Sequence, residues 1–295
     1  MKRRLESDRI DLHIHSTASD GTYTPSEIIS LAQKLNLKAI SITDHDTIEG
    51  SIEAARISPS PSLKLLSGVE ISASPPPLFS CSGTIHILGY LVNHNDKRLN
   101  NLLFSLQEAR KNRNPKIIQR LKDLGIELSL DEVRNEIGKG QLGRPHIASV
   151  MEKKGFVKSI DEAFKKYLGQ GMPAYVEKYR IESSKAIKII LDAGGVPVLA
   201  HPVLIQLTNN DLLESMIENL VSMGLMGVEV YYPEHSDIQV ASLLEIAKKL
   251  NLLVTGGSDF HGLLKPNVKM GSGRGNLNIP YELYEKLMDA RGKRC

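Results

Sequence analysis

The first third of the chain alternates short apolar runs with helical patterns. RIDLHIH, KAISIT, LKLLSGVEIS and TIHILGYLV predict four strands, the first from its alternation of apolar and polar positions. TPSEIISLAQKLN predicts a helix that Thr24 caps, with Pro25 in its first turn and Glu27 completing a capping box. DTIEGSIEAARI predicts a second helix, and the Pro/Ser-rich SASPPPLFSCSG predicts a loop between the last two strands.

The pattern changes after about Asp96, because residues 97–169 show helical periodicity without a convincing strand. We expect a long helix over Lys97–Leu124, interrupted near Pro115. Three shorter helices follow: one from Ser129 and Glu132, one in GRPHIASVMEKKG closed by Gly155, and one from Ser159 and Glu162 to Gly169. The sequence therefore predicts an inserted all-helical domain over 97–178.

Strands and helices alternate again over 179–295. Ser183–Asp192 predicts a helix, VPVLAHP, GVEVYYP and LLVTGGSDFH predict strands, and helices at about 210–223 and 236–250 separate them. About seven strands in all, mostly separated by helices, favour parallel βα units that close as a barrel or form an open sheet. The predicted fold class is α/β, with 5–96 and 179–295 forming one domain around the helical insert.

Composition narrows the function classes. The chain has 295 residues, 41% of them hydrophobic, which allows one large core with a smaller module. A net charge of +3 does not suggest a protein that coats nucleic acid, although a local phosphate site is compatible with it. The two cysteines, Cys81 and Cys295, form no C-x-x-C pair, and no run of about 20 apolar residues predicts a membrane span. We expect a cytoplasmic protein with no obligate protein partner.

Residue types that ligate metals recur where the predicted strands end, and one more lies within the fourth strand. They are His13, His15, Asp20, His45, Glu70, His86, His201, Asp259 and His261. Each alone is equally well explained as a structural or surface residue. Their recurrence is harder to explain by chance, since buried charges need compensation, and the carboxyl ends of barrel strands converge on one face.

Six motifs together resemble those of the polymerase-and-histidinol-phosphatase (PHP) family. They are HIHSTASDG, SITDHDTIEG, SGVEIS, HILGY, AHP and GSDFH, in the family's order and over nearly the whole chain. The resemblance implies a distorted seven-stranded βα barrel (a TIM-like barrel) with three divalent metal ions. It places His13, His15, Glu70 and Asp259 on the first ion. It places Asp20, His45 and His261 on the second. It places His86 and His201 on the third, with Glu70 bridging to the first ion.

The chemistry of these ligands agrees with that expectation. Six imidazoles and three carboxylates favour manganese, iron, zinc or cobalt over magnesium or calcium, and we take manganese as the first choice. A bound metal ion can lower the pKa of water to about 7, which provides a nucleophile without a Ser or Cys side chain. Asp44 and Asp46 are expected to orient ligands or cap a helix.

Candidate substrate contacts lie outside the ligand set. The insert with GRPH resembles the subgroup of nucleoside 3′,5′-bisphosphate phosphatases, some of which trim short RNA from the 5′ end, and this assigns Arg144 and His146 to a second phosphate. Arg274 in GSGRG and His235 in YYPEHS are further candidates, each equally compatible with a structural role. Arg110, Lys111 and Arg113 are most simply a solvated helix face.

The sequence thus predicts a phosphoesterase that removes the 3′-phosphate of a nucleoside 3′,5′-bisphosphate, with a small phosphorylated nucleotide or a short RNA 5′ end as its partner. Three alternatives remain open: a phosphatase of another metabolite such as histidinol phosphate, metal-dependent C–N hydrolysis on a related barrel, and a non-catalytic metal-stabilised domain.

Overall fold

A curved sheet surrounded by helices forms the body of the molecule in the computed structural model, which describes residues 9–57, 61–81, 85–137, 142–207, 209 and 212–292. The predicted start of the barrel domain at residue 5, residues 82–84 of the predicted loop, and Cys295 lie outside these ranges. The strands are β1 (Ile10–Ile14), β2 (Ala39–Ile42), β3 (Lys64–Ser74), β4 (Ile85–Tyr90), β5 (Ile181–Glu182), β6 (Val196–Leu199), β7 (Gly227–Tyr231) and β8 (Leu253–Gly256).

Ten α-helices accompany the strands within the described ranges. They are α1 (Pro25–Lys34), α2 (Glu49–Arg56), α3 (Lys97–Asp123), α4 (Leu130–Ile137), α5 (Arg144–Lys153), α6 (Ile160–Ala163), α7 (Ser183–Asp192), α8 (Leu212–Ser222), α9 (Asp237–Lys249) and α10 (Glu282–Gly292). A π-helical turn, Phe164–Leu168, extends α6. The predicted capping box of α1 is confirmed, because Thr24 Oγ1 accepts from Glu27 N at 3.2 Å and Glu27 Oε2 accepts from Thr24 N at 2.8 Å.

The sheet follows the order β1-β2-β3-β4-β6-β7-β8, with β5 paired to β3. Beyond β8 the chain returns to β1, where Asp259 N donates to His13 O at 2.8 Å and His15 N donates to Phe260 O at 2.9 Å. A Cβ at Gly257 would lie 2.1 Å from the Cβ of His13, so a side chain there would block this approach. The sheet is thereby nearly closed into a barrel, which confirms the predicted fold class.

The expectation of uniformly parallel βα units is wrong at β4. This strand is antiparallel to both β3 and β6, and the described part of the loop after β3, residues 75–81, contains no helix to carry the chain back across the barrel. Two antiparallel strands need only a short connection, whereas a parallel pair needs a crossover. The two-residue strand β5 is a further element that the apolar pattern did not predict.

The long helix α3 connects two hydrophobic clusters. Leu99, Leu103 and Leu106 pack in the cluster that contains the outer face of the sheet. Ile117 and Leu121 pack in a separate cluster formed by the helical segment. The predicted domain boundaries at 97 and 178 stay a prediction, and α3 is the element that reaches from one cluster into the other.

Pro115 does not interrupt α3, contrary to the expectation from sequence, since the helix runs unbroken through it. Pro115 has no N–H group and therefore cannot donate a helical hydrogen bond to the carbonyl of Lys111. The side chain of Lys111 lies on the exposed face of the helix, so water can donate to that carbonyl instead. Among the described helices, none is long and apolar enough to span a membrane.

Candidate metal centre

All nine predicted ligands lie together at one end of the barrel, mostly at the carboxyl ends of its strands. His13 is in β1 and His15 follows it, and Asp20 lies in the next loop. His86 is the second residue of β4, at the amino end of that strand. Because β4 is antiparallel, pairing His86 with Ser72 of β3, its amino end reaches the same edge of the barrel as the other ligands.

Glu70 occupies the centre of the cluster and is fully buried. Its two carboxylate oxygens face five imidazole rings. The distances are 2.8 Å to His45 Nδ1, 2.8 Å to His86 Nδ1, 2.9 Å to His201 Nε2, 3.3 Å to His15 Nε2 and 3.5 Å to His13 Nε2. A single carboxylate so surrounded is placed to bridge more than one metal ion.

Four donors form one compact set. The Nε2 atom of His13 lies 3.5 Å from Glu70 Oε2 and 3.6 Å from Asp259 Oδ1, and the Nε2 atom of His15 lies 3.3 Å and 3.1 Å from the same oxygens. Ligands about 2.1 Å from one ion lie about 3.0 to 3.4 Å apart in octahedral and tetrahedral sites. The spacing of His13, His15 and Glu70 therefore fits a shared ion, whereas Asp259 contacts both imidazoles but is not part of that mutually close group.

Two further sets adjoin the first. Asp20 lies 3.5 Å from His261 Nε2, 3.9 Å from His45 Nε2 and 3.6 Å from His15 Nδ1. The Nδ1 atom of His86 and the Nε2 atom of His201 lie 3.3 Å apart, and both contact Glu70 Oε1. The geometry also brings His45 beside Glu70 and His86, a grouping that the family resemblance did not assign.

The hydrogen bonding of the cluster is incomplete without metal ions. Several of its buried atoms have no hydrogen-bond partner among the described residues, although they face one another. They include His13 Nε2, His15 Nε2, Asp20 Oδ1, His45 Nδ1 and Glu70 Oε2. Buried polar atoms without partners are costly, and metal ions would satisfy these lone pairs. The residues present therefore fit a multinuclear centre of divalent metals.

Glu229 is a functional residue that the sequence analysis missed. It is fully buried in β7, its Oε1 accepts from His13 Nδ1 at 2.9 Å, and its Oε2 accepts from His201 N at 2.8 Å. The bond fixes the His13 tautomer with its Nε2 lone pair toward the cluster. The sequence feature that could have identified Glu229 is an isolated carboxylate within the apolar run GVEVYY.

Other carboxylates hold the ligand loops in place. Asp44 accepts from Ser16 N at 2.7 Å and from Ser19 Oγ at 2.6 Å, which ties the loop after β1 to the end of β2. Asp259 accepts from Tyr232 Oη at 3.0 Å and from Lys265 Nζ at 2.7 Å. Asp44 thus orients a ligand loop, as expected from sequence, whereas the N-cap of α2 is Ile48.

The backbone is strained at three positions around the centre. Asp46, His201 and Asp259 have φ values of 54°, 28° and 53°, a region that residues other than glycine seldom occupy. Such conformations persist only where surrounding contacts enforce them, and they concentrate at functional sites. At His201 one such contact is the hydrogen bond from its backbone N–H group to Glu229 Oε2.

Four of the histidine ligands divide into two groups by the direction of their pKa shifts. Burial lowers the pKa of His13, but Glu229 and Glu70 outweigh it and hold the value well above the ordinary one. Burial also opposes protonation of His15, yet Asp259 and Glu70 raise its pKa to about 9. Burial dominates at His86 and His261, where the pKa falls to about 3 and about 4. His13 and His15 would therefore have to lose a proton in order to ligate a metal ion.

Seven of the nine candidate ligands, all except His13 and His15, form part of the wall of a cavity of about 330 Å³ that cationic side chains also line. Arg110, Arg113, Arg144 and Lys178, which we call the cationic wall, come from α3, α5 and the segment before β5. Arg110 Nη2 donates to Asp46 Oδ2 at 2.6 Å, and Lys178 Nζ lies 3.8 Å from the same oxygen. The cavity thus combines the ligand cluster with a set of positive charges.

The interpretation of Arg110 and Arg113 as solvated residues is wrong, although Lys111 is indeed exposed. Both arginines are 6% exposed and face the barrel. A signal was present in the sequence, because they continue the buried stripe of α3 at positions where its spacing predicts apolar residues. The stripe consists of Leu99, Leu103, Leu106, Arg110, Arg113, Ile117 and Leu121.

The four predicted substrate-contact residues lie in different places. Arg144 lines the cavity, donates from Nη1 to Leu168 O at 2.8 Å and stacks against Tyr175, with 5.2 Å between the guanidinium carbon and the ring centre. His146 is buried outside that lining, where its Nδ1 accepts from Gly143 N at 3.0 Å at the start of α5.

The other two do not line the cavity that contains the candidate metal ligands. His235 is buried and donates from Nδ1 to Val230 O at 2.8 Å, which is a structural role. Arg274 forms an exposed ion pair with Glu234 at 2.8 Å and lines a neighbouring cavity. Lys178, which the sequence analysis did not predict as a substrate contact, lines the same cavity as the candidate metal ligands.

Comparison with known proteins agrees with this geometry. The family model described as PHP domain matches residues 11–168. The chain is 32% identical over 253 residues to a 5′-3′ exoribonuclease of Haemophilus influenzae, covering 86% of this chain and 90% of that one. It is also 32% identical over 253 residues to a 3′,5′-nucleoside bisphosphate phosphatase of Chromobacterium violaceum, covering 85% and 87%.

A solved structure from Bifidobacterium adolescentis, described as that of a metal-dependent phosphoesterase, has a TM-score of 0.83 and 28% identity, with 96% of each chain covered. The family match spans six of the nine ligands, from His13 to His86. The relatives and the solved structure match most of the chain, well beyond that segment.

Proposed function

Because this chain belongs to the PHP domain family, and is therefore a metal-dependent hydrolase of phosphoric esters, we propose that it removes the 3′-phosphate of nucleoside 3′,5′-bisphosphates to leave 5′-nucleotides. The two relatives described above are named for nucleotide and RNA substrates, which supports this substrate class. The proposal adds a requirement for two phosphates on one small molecule.

The observation that carries the proposal is the cationic wall facing the ligand cluster across one cavity. Arg113 is the most informative member, because its Nε and Nη1 atoms have no hydrogen-bond partner among the described residues. Burial, together with Arg110 and Arg144, lowers the pKa of Arg113 to about 9. Asp46 pairs with Arg110 and lies near Lys178, but Arg113 and Arg144 have no carboxylate partner among the described residues, and a second phosphate would provide an anion for them.

We propose that the nine ligands hold three divalent metal ions, the number that the family resemblance implies, with manganese as the first choice for so many imidazoles. Bound metals would supply a polarised phosphate ester and water of lowered pKa. In the hydrolysis, water oxygen joins the phosphorus, the bond from phosphorus to the 3′-oxygen breaks, and the nucleoside gains a proton at that oxygen. The cationic wall holds the 5′-phosphate and thereby positions the 3′ ester over the ligand cluster.

We assign the role of a substrate cap to the helical segment 97–178. Arg110 and Arg113 of α3, Arg144 of α5 and Lys178 at the end of the segment all contribute to the cavity wall. Gln107 Nε2 donates to Asp46 O at 3.0 Å, so α3 is also bonded to the residue after His45. Since the segment supplies the second-phosphate contacts, the barrel alone would retain metal sites but lose this selectivity.

Phosphate release from adenosine 3′,5′-bisphosphate by the manganese-loaded protein tests the proposal. The sharpest control is adenosine 3′-phosphate, which lacks only the second phosphate, with AMP and histidinol phosphate as further controls. We expect kcat/KM to be at least tenfold higher for the bisphosphate than for any control. Equal rates on both 3′-phosphates would refute the two-phosphate requirement, and no release from any compound with metal bound would favour a non-catalytic role.

A further inference from the structure

One member of the cationic wall, Lys178, is bonded to strand β3 at the edge of the ligand cluster. It lies three residues before β5, whose Ile181 pairs with Ala73 of β3. Its Nζ atom donates to Ser72 Oγ and lies 3.8 Å from Asp46 Oδ2, and its side chain is only 13% exposed. The short strand β5 therefore fixes the position of an ammonium group near the carboxyl end of β3.

The contact with Ser72 places Lys178 beside a candidate metal ligand. Ser72 is paired with His86 in the antiparallel ladder of β3 and β4. Side chains paired in this way lie on the same face of a sheet, with their Cβ atoms about 5 Å apart. Burial lowers the pKa of His86 to about 3, and the nearby charge of Lys178 adds to the lowering. Since Lys178, His86 and Glu70 also line one cavity, the ammonium group faces the place where the phosphate ester is cleaved in the proposed function.

The proton of Lys178 is held less firmly than that of an ordinary lysine. Burial lowers its pKa to about 7 against the opposite effects of Asp46 and Glu70, and the guanidinium groups of Arg110 and Arg113 add to the lowering. An ammonium group gives up a proton more readily than a guanidinium, so Lys178 is better suited to proton transfer than the arginines of the wall. A group with a pKa near the working pH is the most effective proton donor in a transition state.

A second lysine lines the same cavity but is less suited to this role. Lys265 Nζ donates to Asp259 Oδ2 at 2.7 Å, and the charge of Asp259 outweighs burial and raises the pKa of Lys265. Its proton is therefore bound in an ion pair with a candidate metal ligand. Lys178 instead donates to the neutral hydroxyl of Ser72, which leaves its proton available to a substrate oxygen.

We propose that Lys178 is a catalytic residue that donates a proton to the leaving 3′-oxygen. This inference rests on the proposed function. Water oxygen joins the phosphorus and the bond from phosphorus to the 3′-oxygen breaks. The electron pair of that bond stays on the 3′-oxygen, which takes a proton from Lys178 Nζ. One proton of the attacking water later restores the ammonium group, and the other stays on the released phosphate.

The test compares two substrates that differ only in the leaving atom, on manganese-loaded, full-length protein. They are adenosine 3′,5′-bisphosphate and its analogue with sulfur in place of the bridging 3′-oxygen, because a thiolate leaves without taking a proton. Lys178→Met removes both charge and proton, whereas Lys178→Arg keeps the charge but holds its proton too firmly to donate it. Lys185→Met is the control, since this lysine of α7 is exposed and lies outside the cavity. Melting temperature and bound manganese are measured for each variant.

We expect both Lys178 variants to lose roughly 100-fold or more in kcat on the oxygen ester, less than threefold on the sulfur ester, with no loss in the control. The sulfur ester also reports whether each variant keeps an intact site, so a folding defect is recognised.

Equal losses of kcat on both esters would overturn the inference, since Lys178 would then only bind the substrate or support the fold. Recovery of the oxygen-ester rate in Lys178→Arg would also overturn it, because a fixed positive charge would then be sufficient. A wild type that cleaves neither ester refutes the proposed function together with this role of Lys178. An active wild type with unaffected Lys178 variants refutes the role of Lys178 alone.

Discussion

The imidazole of His13 donates from Nδ1 to Glu229 Oε1 at 2.9 Å, and neither side chain is exposed to solvent. Glu229 also accepts the backbone N–H group of His201 at 2.8 Å through its other oxygen. One carboxylate on β7 therefore orients two of the nine candidate ligands, from β1 and from the end of β6. This arrangement makes Glu229 as informative to mutate as a ligand.

Glu229→Gln keeps the shape of the side chain but offers only one accepting oxygen. One of the two donors, His13 Nδ1 or His201 N, then faces an amide NH₂ group. Loss of such an orienting carboxylate typically lowers metal affinity about 10- to 100-fold. We expect that loss in a manganese titration, with Glu234→Gln, an exposed residue, as the control. Unchanged affinity in Glu229→Gln would show that His13 needs no such orientation.

Metal binding is expected to release protons. The pKa of His15 is raised to about 9 in the metal-free protein, where Asp259 and Glu70 overcome the opposite effect of burial. Below that pH the ring is protonated, and an ion must displace the proton to bind. The apparent affinity therefore falls as pH falls below about 9, by about tenfold per pH unit for each proton displaced.

The measurement is a manganese titration in weakly buffered solution at pH 7.5, with proton release followed by a pH indicator. We expect at least one proton released per protein, and a chelator should reverse the binding and lower the melting temperature. Affinity independent of pH between 6.5 and 8.5 would contradict the raised pKa of His15.

Arg113→Met is expected to increase the stability of the protein and to weaken its binding of the bisphosphate. The substitution removes a buried guanidinium whose neighbours Arg110 and Arg144 repel it, while the methionine side chain retains much of the packing. Relief of such an unsatisfied group is worth about 1 to 3 kcal/mol. We expect a higher melting temperature in thermal unfolding.

The same variant should raise KM for the bisphosphate at least tenfold, with little change for adenosine 3′-phosphate. Lys111→Met, on the exposed face of the same helix, is the matched control and should alter neither quantity. If Arg113→Met is less stable than the wild type, the guanidinium of Arg113 must form hydrogen bonds in solution with a group other than the substrate.

The helical segment is expected to unfold separately from the barrel. Ile117 is fully buried in the cluster of the helical segment, whereas Leu103 is buried in the cluster against the sheet. Truncation of a buried Ile or Leu to Ala costs about 2 to 5 kcal/mol. We expect Ile117→Ala to reduce hydrogen-exchange protection in α4 and α5 while the strands keep theirs.

Leu103→Ala should instead reduce protection in the strands and α7. If both variants reduce protection throughout the chain to the same extent, the molecule unfolds as one cooperative unit. The predicted boundaries at 97 and 178 would then have no energetic meaning.

Much of the site could be predicted from sequence, for a local reason. His13 lies in β1, His15 follows it directly, and His45 comes shortly after β2, so the alternation of strands and helices places them at one end of a barrel. Glu70 lies inside β3, before the end of that strand, and not at the strand end expected from the sequence. The capping box of Thr24 and Glu27 is likewise a contact between near neighbours. Such features depend on periodicity and on chain direction, both of which the sequence contains.

Tertiary structure alone decided the rest. The antiparallel direction of β4, which brings His86 to the cluster, depends on its direct pairing with the neighbouring strand β3. The contact of Glu229 with His13 joins residues 216 positions apart, and no local pattern encodes it. Arg110 and Arg113 lie on the buried stripe of α3, but a charged residue on such a stripe can as easily reach water. Only the position of α3 over the barrel mouth makes them part of the cavity, because burial is a property of the packed neighbours and not of the helix itself.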